Sequence, residues 1–340
     1  MSCASTLGAI IFNCFSIGMK KIHLNIGHIG LLDAAPLLIA QERGFFEAEG
    51  LSVSLSCELG LATVFSKLAE SRLDGACMPV HKPLLLAAGA GVPRVSMQAA
   101  VITSYQGTGI VISKSKSASR AGGAGLRIGV IAQGSSAGLF LHRYQQLNRA
   151  GVLADATLVP VVASQFIDFF RDGMFDGFCG NDPLPSLAAL RSDVVCVANS
   201  ADLFPMHPGS VATLRAEVVE RNPELAAAWA RAVRRGCAEC AEPAHQAEVW
   251  RLVLAQEPYM ELDAQSRKAL SCGPGENGPA GSSIRFKTTV NEATRVTDPE
   301  GFIDAAGRSA LGTSLRGFDL KAEIARSYLL ETPRVAARVR

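Results

Sequence analysis

The sequence predicts an α/β protein of two similarly built lobes, because a pair of short motifs occurs twice at one fixed offset. Residues 24–27 read LNIG and residues 126–129 read LRIG, while LDGAC at 73–77 is matched by FDGFC at 175–179. Both matches lie 102 positions apart, from 27 to 129 and from 75 to 177. A constant offset without a gap indicates repeated structural units rather than unrelated loops.

Each unit follows the order strand, turn, helix, strand, helix, strand, which predicts a βαβ-based sheet flanked by helices. A helix begins at Asp33, because Pro36 suits a first helical turn. A cleft for a ligand is expected between the lobes. The strands are predicted at 22–26, 51–55, 75–78, 126–131, 157–162 and 177–179, and the later helices at 63–71, 136–149 and 165–172.

The chain is expected to pass twice between the lobes, first at Tyr105–Gly109 and then near Val211–Leu214. After the second crossing, Asn222-Pro223 has the N-cap and first-turn residues of a long helix. The predicted division is a leader or misassigned start at 1–18, the first part of lobe I at 19–104, lobe II at 105–211, and the completion of lobe I with C-terminal helices at 212–340.

Composition excludes several functions. The chain has 340 residues, 48% of them hydrophobic, which is enough for two buried cores. Its formal net charge of +2 comes from scattered acidic and basic residues, so no direct nucleic-acid partner is predicted.

Localisation is predicted from the first residues. Residues 1–18 contain no basic residue, whereas a secretory signal needs one ahead of its apolar core. The segment is also too short and too polar for a membrane span. The protein is therefore expected to be cytoplasmic as written, or periplasmic or membrane-associated if Met19 marks a misassigned start.

No cofactor or metal is predicted. The nine cysteines are an odd number, and the lone CxxC at Cys237–Cys240 lies on a helical pattern without a second ligand pair. No P-loop, HExxH or EF-hand pattern occurs, and the glycine run at 122–125 precedes its strand instead of following it.

One motif suggests an enzyme. Residues 134–138 match GxSxG between a strand and a helix, so Ser136 could be a hydrolase nucleophile, with Asp202 and either His207 or His245 as partners. Two observations count against this hypothesis. No HGG-type oxyanion segment precedes the motif, and a Gly, Ser and Ala-rich stretch matches it easily.

The repeated units instead favour a binding site for a small anion. Ligands of parallel α/β sheets lie beyond the carboxyl ends of the strands, where helix N-termini offer free N–H groups. Gln133–Ser136 is such a terminus, and the corresponding first-lobe loops are His28–Asp33 and Met78–Lys82. His81-Lys82 is a basic pair, with a surface lysine beside a turn as the alternative.

Further candidates lie near the predicted crossover and at the matching loop of the second lobe. Tyr105 is either hinge packing or a ligand contact, and Asn181 suits hydrogen bonding, whereas Asp182 would repel an anion or cap the next helix. No catalytic residue is predicted. The predicted ligand-binding residues are His28, Asp33, His81, Lys82, Tyr105, Gln133, Gly134, Ser135, Ser136 and Asn181.

These segments resemble a known family, the nitrate- and bicarbonate-binding proteins of ABC importers and their cytoplasmic nitrate-sensing relatives. The resemblance lies in DAAPLLIAQERGFFEAEGL at 33–51, KLA at 67–69 with LDGA at 73–76, DGFCGNDP at 176–183, and His207-Pro208, which cover roughly residues 19–225. It implies a two-lobed, type II periplasmic-binding-protein-like fold that clamps its ligand between the lobes.

The resemblance also implies the function and its partners. The expected function is non-catalytic binding of nitrate, nitrite or bicarbonate, either with an ABC permease and ATPase or as a sensor with an RNA-binding antiterminator. Family members tend to carry Lys where this chain has Ser210, and His where it has Gln133. The alternatives are a small organic ligand of sulfonate or thiamine-precursor type, or the Ser136 hydrolase.

Overall fold

The computed structural model describes residues 21–89, 92–117, 125–131, 135–162, 165–203 and 207–260, with 262, 264–265, 268 and 285–286. Within these ranges the strands are β1 (Ile22–His28), β2 (Leu51–Cys57), β3 (Gly75–Pro79), β4 (Met97–Tyr105), β5 (Thr108–Ser113), β6 (Arg127–Val130), β7 (Thr157–Pro160), β8 (Gly177–Asn181), β9 (Val194–Asn199), β10 (Pro208–Arg215) and β11 (Arg285–Phe286). The helices are α1 (Ala35–Glu42), α2 (Phe45–Ala48), α3 (Leu61–Ala69), α4 (Lys82–Ala88), α5 (Lys114–Ser117), α6 (Ser136–Leu147), α7 (Phe166–Arg171), α8 (Leu184–Ala189), α9 (Ser200–Leu203), α10 (Ala216–Arg221), α11 (Pro223–Ala241) and α12 (Gln246–Leu254).

The strands form two mixed sheets, one in each lobe. The first sheet has the order β11-β4-β10-β3-β1-β2 and the second β7-β6-β8-β5-β9. In each, three strands are parallel, with the earliest between the other two: β2-β1-β3 and β7-β6-β8. The prediction of two βαβ-based lobes is confirmed.

The repeat extends to individual contacts. Ile26 pairs with Gly75 in the first sheet, and Ile128 pairs with Gly177 in the second. A carboxylate before the third strand accepts a backbone hydrogen bond from the first strand in both lobes: Asp74 from Asn25 N at 2.8 Å, and Asp176 from Arg127 N at 2.9 Å. The 102-residue offset therefore reflects equivalent positions in two similar frameworks.

The two repeated glycines are required by close backbone packing. A Cβ on Gly75 would lie 2.3 Å from the carbonyl oxygen of Thr213 in β10, and a Cβ on Gly177 would lie 2.4 Å from that of Val111 in β5. In each lobe the antiparallel neighbour thus approaches the third strand at a position that no side chain can occupy.

The chain changes sheets at two short segments. β4 ends at Tyr105 in the first sheet and β5 begins at Thr108 in the second, with Gln106 at a φ of 61° between them. The Gln106 N–H donates to the His207 carbonyl at 3.0 Å, so the two passages contact each other.

The return to the first sheet comes earlier than Val211–Leu214, because β10 pairs with β4 from Pro208 onward. The division into residues 105–211 and 212–340 stays a prediction, since most of the chain after residue 260 lies outside the described residues.

The helices α1 and α11 pack against each other and cover the first sheet. Phe46 stacks on Trp229 with ring centroids 5.5 Å apart. Gly236 lets α11 approach α1, because a Cβ there would lie 2.1 Å from the Pro36 carbonyl oxygen. In the second lobe four buried rings pack together with centroids 5.4 to 5.9 Å apart: Phe166, Phe170, Phe175 and Phe178.

Candidate functional site

The lobes meet where parallel strands of both sheets end. The Leu32 N–H of the first lobe donates to the Asp182 carbonyl of the second at 2.8 Å. Leu32 follows β1, and Asp182 follows β8. This hydrogen bond joins the strand-end loops of the two lobes, which is the edge where ligands of α/β sheets bind.

His28 ends β1 and Asp33 lies in the loop that follows, and both are buried. His28 Nδ1 lies 3.2 Å from the Ile29 carbonyl oxygen, and burial lowers the pKa of the imidazole. Asp33 lies in a short 3-10 turn, Leu32–Ala34, and its Oδ2 accepts a hydrogen bond from the Ser210 hydroxyl of β10. Serine at position 210 therefore contacts the candidate site.

The two Asp33 oxygens have different surroundings. Within the described part of the chain, Oδ1 is buried and has no hydrogen-bond partner. Burial raises the pKa of this carboxyl group, the hydrogen bonds from Ser210 and from the backbone N–H of Asp33 itself lower it, and the charge of Asp182 raises it. Such a carboxylate is costly to the folded protein unless a proton or a donor reaches it.

Lys82 begins α4 and is only 7% exposed. The alternative of a surface lysine is wrong, because the side chain packs into the lobe with Nζ 5.9 Å from the Phe65 ring centroid. Burial lowers the pKa of the amine to about 8. The preceding His81 is buried as well, at 3% exposure. The first lobe thus supplies the basic groups of the candidate site.

The second lobe supplies neutral hydrogen-bonding groups beside one buried acid, Asp182. Ser135 caps α6, its hydroxyl accepting from the Gly138 N–H at 3.1 Å. The Ser136 hydroxyl donates to Asn181 Oδ1 at 3.4 Å, and Asn181 Nδ2 donates to Thr108 Oγ1 at 3.1 Å. This network joins the N-terminus of α6, the end of β8 and the start of β5.

Asp182 is the buried acid of the second lobe. Its backbone N–H donates to the Gly107 carbonyl at 2.9 Å, and its Oδ1 accepts from the Ser186 hydroxyl at 2.7 Å. The carboxylate therefore contacts α8 through a side-chain hydroxyl, while the N-cap position of this helix is Pro183. Its charge also reaches Asp33 across the lobe contact.

Three other predicted residues are placed differently. Gln133 and Gly134 lie outside the described residues. Tyr105 is buried at the end of β4, where it pairs with Pro208 of β10. It thus lies at the junction between the sheets, and its role as a ligand contact stays a prediction.

The residues of the hydrolase hypothesis make other contacts. Ser136 donates to an amide oxygen, which cannot accept its proton in catalysis. Asp202 accepts a hydrogen bond from Asn199 Nδ2 at 2.6 Å, and His245 Nδ1 lies 3.0 Å from Glu239 Oε2 on α11. These contacts of Ser136, Asp202 and His245 are not those of the nucleophile and base pair that acyl transfer needs. His207, the other histidine of the hypothesis, accepts a hydrogen bond from the Gln106 N–H through its backbone carbonyl.

Two residues escaped the sequence analysis. Thr108 accepts from Asn181, and the Tyr259 hydroxyl donates to the Gly30 carbonyl, which holds the loop containing Asp33. Thr108 lies within the predicted crossover Tyr105–Gly109, which could have marked it. Tyr259 lies far along the chain on a short 3-10 turn, Glu257–Tyr259, and no local pattern identifies it.

Comparison with known proteins gives a family match and several relatives. The model of the NMT1-like family matches residues 18–254. The bicarbonate transport ATP-binding protein CmpC of Synechocystis sp. is 28% identical over 264 residues, which cover 72% of this chain and 39% of CmpC. The nitrate/nitrite binding protein NrtA of Synechococcus elongatus is 26% identical, over 72% of this chain and 60% of NrtA. The chain thus spans less than two thirds of these relatives.

Structure comparison identifies the fold. The crystal structure of the periplasmic nitrate-binding protein NrtA from Synechocystis PCC 6803 superposes with a TM-score of 0.65 at 20% identity, covering 79% of this chain and 74% of NrtA. The chain has the two-lobed periplasmic-binding-protein fold. Among the described residues, no helix is both long and apolar enough to cross a bilayer.

Proposed function

The chain belongs to the NMT1-like family, and from this premise we propose that it is a non-catalytic substrate-binding component of an ABC importer. Its proposed ligand is a small anion of the nitrate, nitrite or bicarbonate class. Relatives named for bicarbonate transport and for nitrate or nitrite binding support this class.

The observation that carries the proposal is the contact of the two lobes through their strand-end loops, around buried polar side chains. The hydrogen bond between Leu32 and Asp182 spans the lobes. Near it lie Asp33 and Ser210 on one side and Asn181 on the other, all buried. Closure of two lobes over a polar site removes water from a small ligand and strengthens each hydrogen bond to it.

The charged and polar groups of the proposed site suit a monovalent anion. Lys82 supplies one formal positive charge, while Ser136, Asn181 and the N-terminus of α6 supply neutral donors. Ser210 replaces the additional lysine of similar proteins. The proposed contacts are therefore one cation and several dipoles, with Gln133 and Gly134 as predicted contributors.

An importer also needs a permease and an ATPase, and the relatives named ATP-binding proteins of bicarbonate and nitrate transport support these partners. A periplasmic location is consistent with the fold that this chain shares with the periplasmic nitrate-binding protein NrtA. The alternative of a cytoplasmic sensor with an RNA-binding antiterminator stays a prediction, and none of the relatives described above is named as a regulator.

A second candidate ligand is a small organic molecule of sulfonate or thiamine-precursor type. Asp33 and Asp182 favour it, since two buried acids at the lobe contact can accept hydrogen bonds from a ligand N–H or O–H group. Nitrate and nitrite offer no such donor.

Calorimetric titration of the full chain tests the proposal. Nitrate, nitrite and bicarbonate should bind to the unmodified protein. Lys82→Met should lower the affinity for the anion by about 10- to 100-fold, because a hydrogen bond to a charged group contributes ~1.5–3 kcal/mol. Lys116→Met is the matched control, since Lys116 is exposed and pairs with Asp176 at 3.3 Å. Binding of an alkanesulfonate or an aminopyrimidine alone would favour the second candidate.

A further inference from the structure

Asp33 Oδ1 is a buried acceptor that the described residues leave without a partner. Asp33 is 6% exposed, and it lies one residue from the hydrogen bond that joins the lobes. Its other oxygen is already engaged by the Ser210 hydroxyl. One carboxylate oxygen of the first lobe therefore remains available at the contact with the second.

An unsatisfied polar group at such a place is destabilising. A buried polar group without its hydrogen bond lowers the stability of the folded protein, and a buried charged group lowers it more. A protein retains such a group when a ligand, a proton or an ion completes it. Because the proposed ligand site is at this lobe contact, the ligand is the natural partner.

Resting on the proposed function, we propose that Asp33 shares one proton with the bound oxyanion and thereby selects bicarbonate over nitrate and nitrite. Two oxygens can form a hydrogen bond only if one of them carries a proton. Bicarbonate brings that proton on its own O–H group, which donates to the ionised Asp33 Oδ1. Nitrate and nitrite are fully ionised and carry none.

The proton balance differs between the ligands. Bicarbonate binds without taking up a proton from solvent. Its own O–H group donates to the Asp33 carboxylate, so the two negatively charged groups share that proton. Nitrate binds only after Asp33 has been protonated, so one proton enters the complex with each nitrate. The affinity for nitrate therefore falls about tenfold for each pH unit above the pKa of Asp33, and the affinity for bicarbonate does not.

Among the described residues, the titratable groups whose charge acts on Asp33 or responds to it come from three elements. Asp182 follows β8, Cys77 belongs to β3, and Tyr259 lies on its 3-10 turn. Burial raises the pKa of Cys77 and of Tyr259, so both stay neutral at physiological pH. Asp182 is the remaining acid, and its own variant must be measured beside that of Asp33.

The first experiment uses the unmodified protein. Calorimetric affinities for bicarbonate and nitrate are measured from pH 6 to 9, at known free bicarbonate. Their ratio cancels the titration of Lys82, since both ligands are monovalent anions. The ratio should rise with pH and favour bicarbonate by about 10- to 100-fold at physiological pH. A ratio that is independent of pH would overturn the inference without any variant.

Asp33→Asn tests the residue itself. The amide donates to an oxyanion without a bound proton, so nitrate should bind more tightly and the ratio should lose its pH dependence. Asp74→Asn is the matched control, since this carboxylate lies at the amino end of β3 and accepts from Asn25 N. The inference is wrong if Asp182→Asn, and not Asp33→Asn, removes the dependence.

These outcomes separate the two proposals. If nitrate, nitrite and bicarbonate all fail to bind the unmodified protein, the proposed function is wrong. If these anions bind and the ratio of the affinities for bicarbonate and nitrate depends neither on pH nor on Asp33, only the selection by Asp33 is wrong.

Discussion

The two lobes share a framework and differ in the chemistry at its strand ends. Position 82, at the start of α4, corresponds to position 184, at the start of α8, at the same offset of 102 residues. Lys82 is a buried cation, whereas Leu184 belongs to the hydrophobic core. At the end of the first strand and in the segment after it, one lobe carries the titratable His28 and Asp33, whereas the other carries the neutral Ser135 and Ser136.

The comparison separates the features that both lobes share from the features in which they differ. Buried glycines and the backbone-binding aspartates are the same in both lobes, because sheet pairing requires them. Strand-end side chains contribute little to that pairing and are free to diverge. Beside one buried acid in each lobe, the first lobe thus carries basic groups and the second carries hydroxyl and amide groups.

The largest expected effects come from substitutions in the framework that both lobes share. Gly75→Ser and Gly177→Ser should each lower the free energy of unfolding by ~1–3 kcal/mol or more, because the new Cβ would meet a backbone carbonyl that cannot rotate away. Denaturant unfolding followed by circular dichroism measures both.

Gly60→Ser is the control for these variants. Gly60 precedes α3 in an extended conformation, and a Cβ there meets nothing within 4 Å. Serine is also a favoured N-cap, so the change should stay within ~0.5 kcal/mol. A large loss in only one of the repeated glycines would show that the lobes are not equivalent.

The second prediction concerns the charge of the first lobe. Lys82→Met should raise the free energy of unfolding at neutral pH by ~1–3 kcal/mol while weakening anion binding, since burial of the protonated amine is costly. In the unmodified protein this cost is complete below pH 8. Stability should then rise as the pH increases from the folded pKa of about 8 toward the unfolded value of 10.5.

Denaturant titrations across this pH range give both results. Lys116→Met should leave the stability within ~0.5 kcal/mol, because an exposed ion pair contributes little. Equal pH profiles for the unmodified protein and Lys82→Met would contradict the assignment of the cost to Lys82.

The smallest expected effects separate two adjacent serines of the second lobe. Ser136→Ala should weaken ligand binding only two- to tenfold, since one neutral hydrogen bond contributes ~0.5–1.5 kcal/mol. Ser135→Ala should instead lower stability by ~1 kcal/mol through loss of the α6 cap. A fluorophosphonate probe should label neither protein. Stoichiometric labelling that is lost in Ser136→Ala would restore the hydrolase hypothesis.

Local pattern was sufficient for the framework because its requirements are local. A strand that ends in a turn and a serine before a helix, as at Ser135, depend on neighbouring residues. The repeat marks Gly75 and Gly177 as equivalent positions, although the carbonyl groups that they approach lie in distant strands. Burial of Lys82 was not predictable in this way, because an adjacent His and Lys near a turn are usually exposed. Packing against Phe65 of α3 decides it.

The sequence by itself determined two lobes, their βαβ-based sheets and the loops that follow their strands. Periodicity and helix caps depend on neighbouring residues, and an ungapped repeat can be read directly along the chain. Only the tertiary structure decided which groups meet. Asp33 and Ser210 are far apart in the chain and are joined because β10 returns to the first sheet beside β3. Asp182 reaches the same place from the other lobe. Charge and proton balance at a ligand site depend on such distant contacts, which no local pattern records.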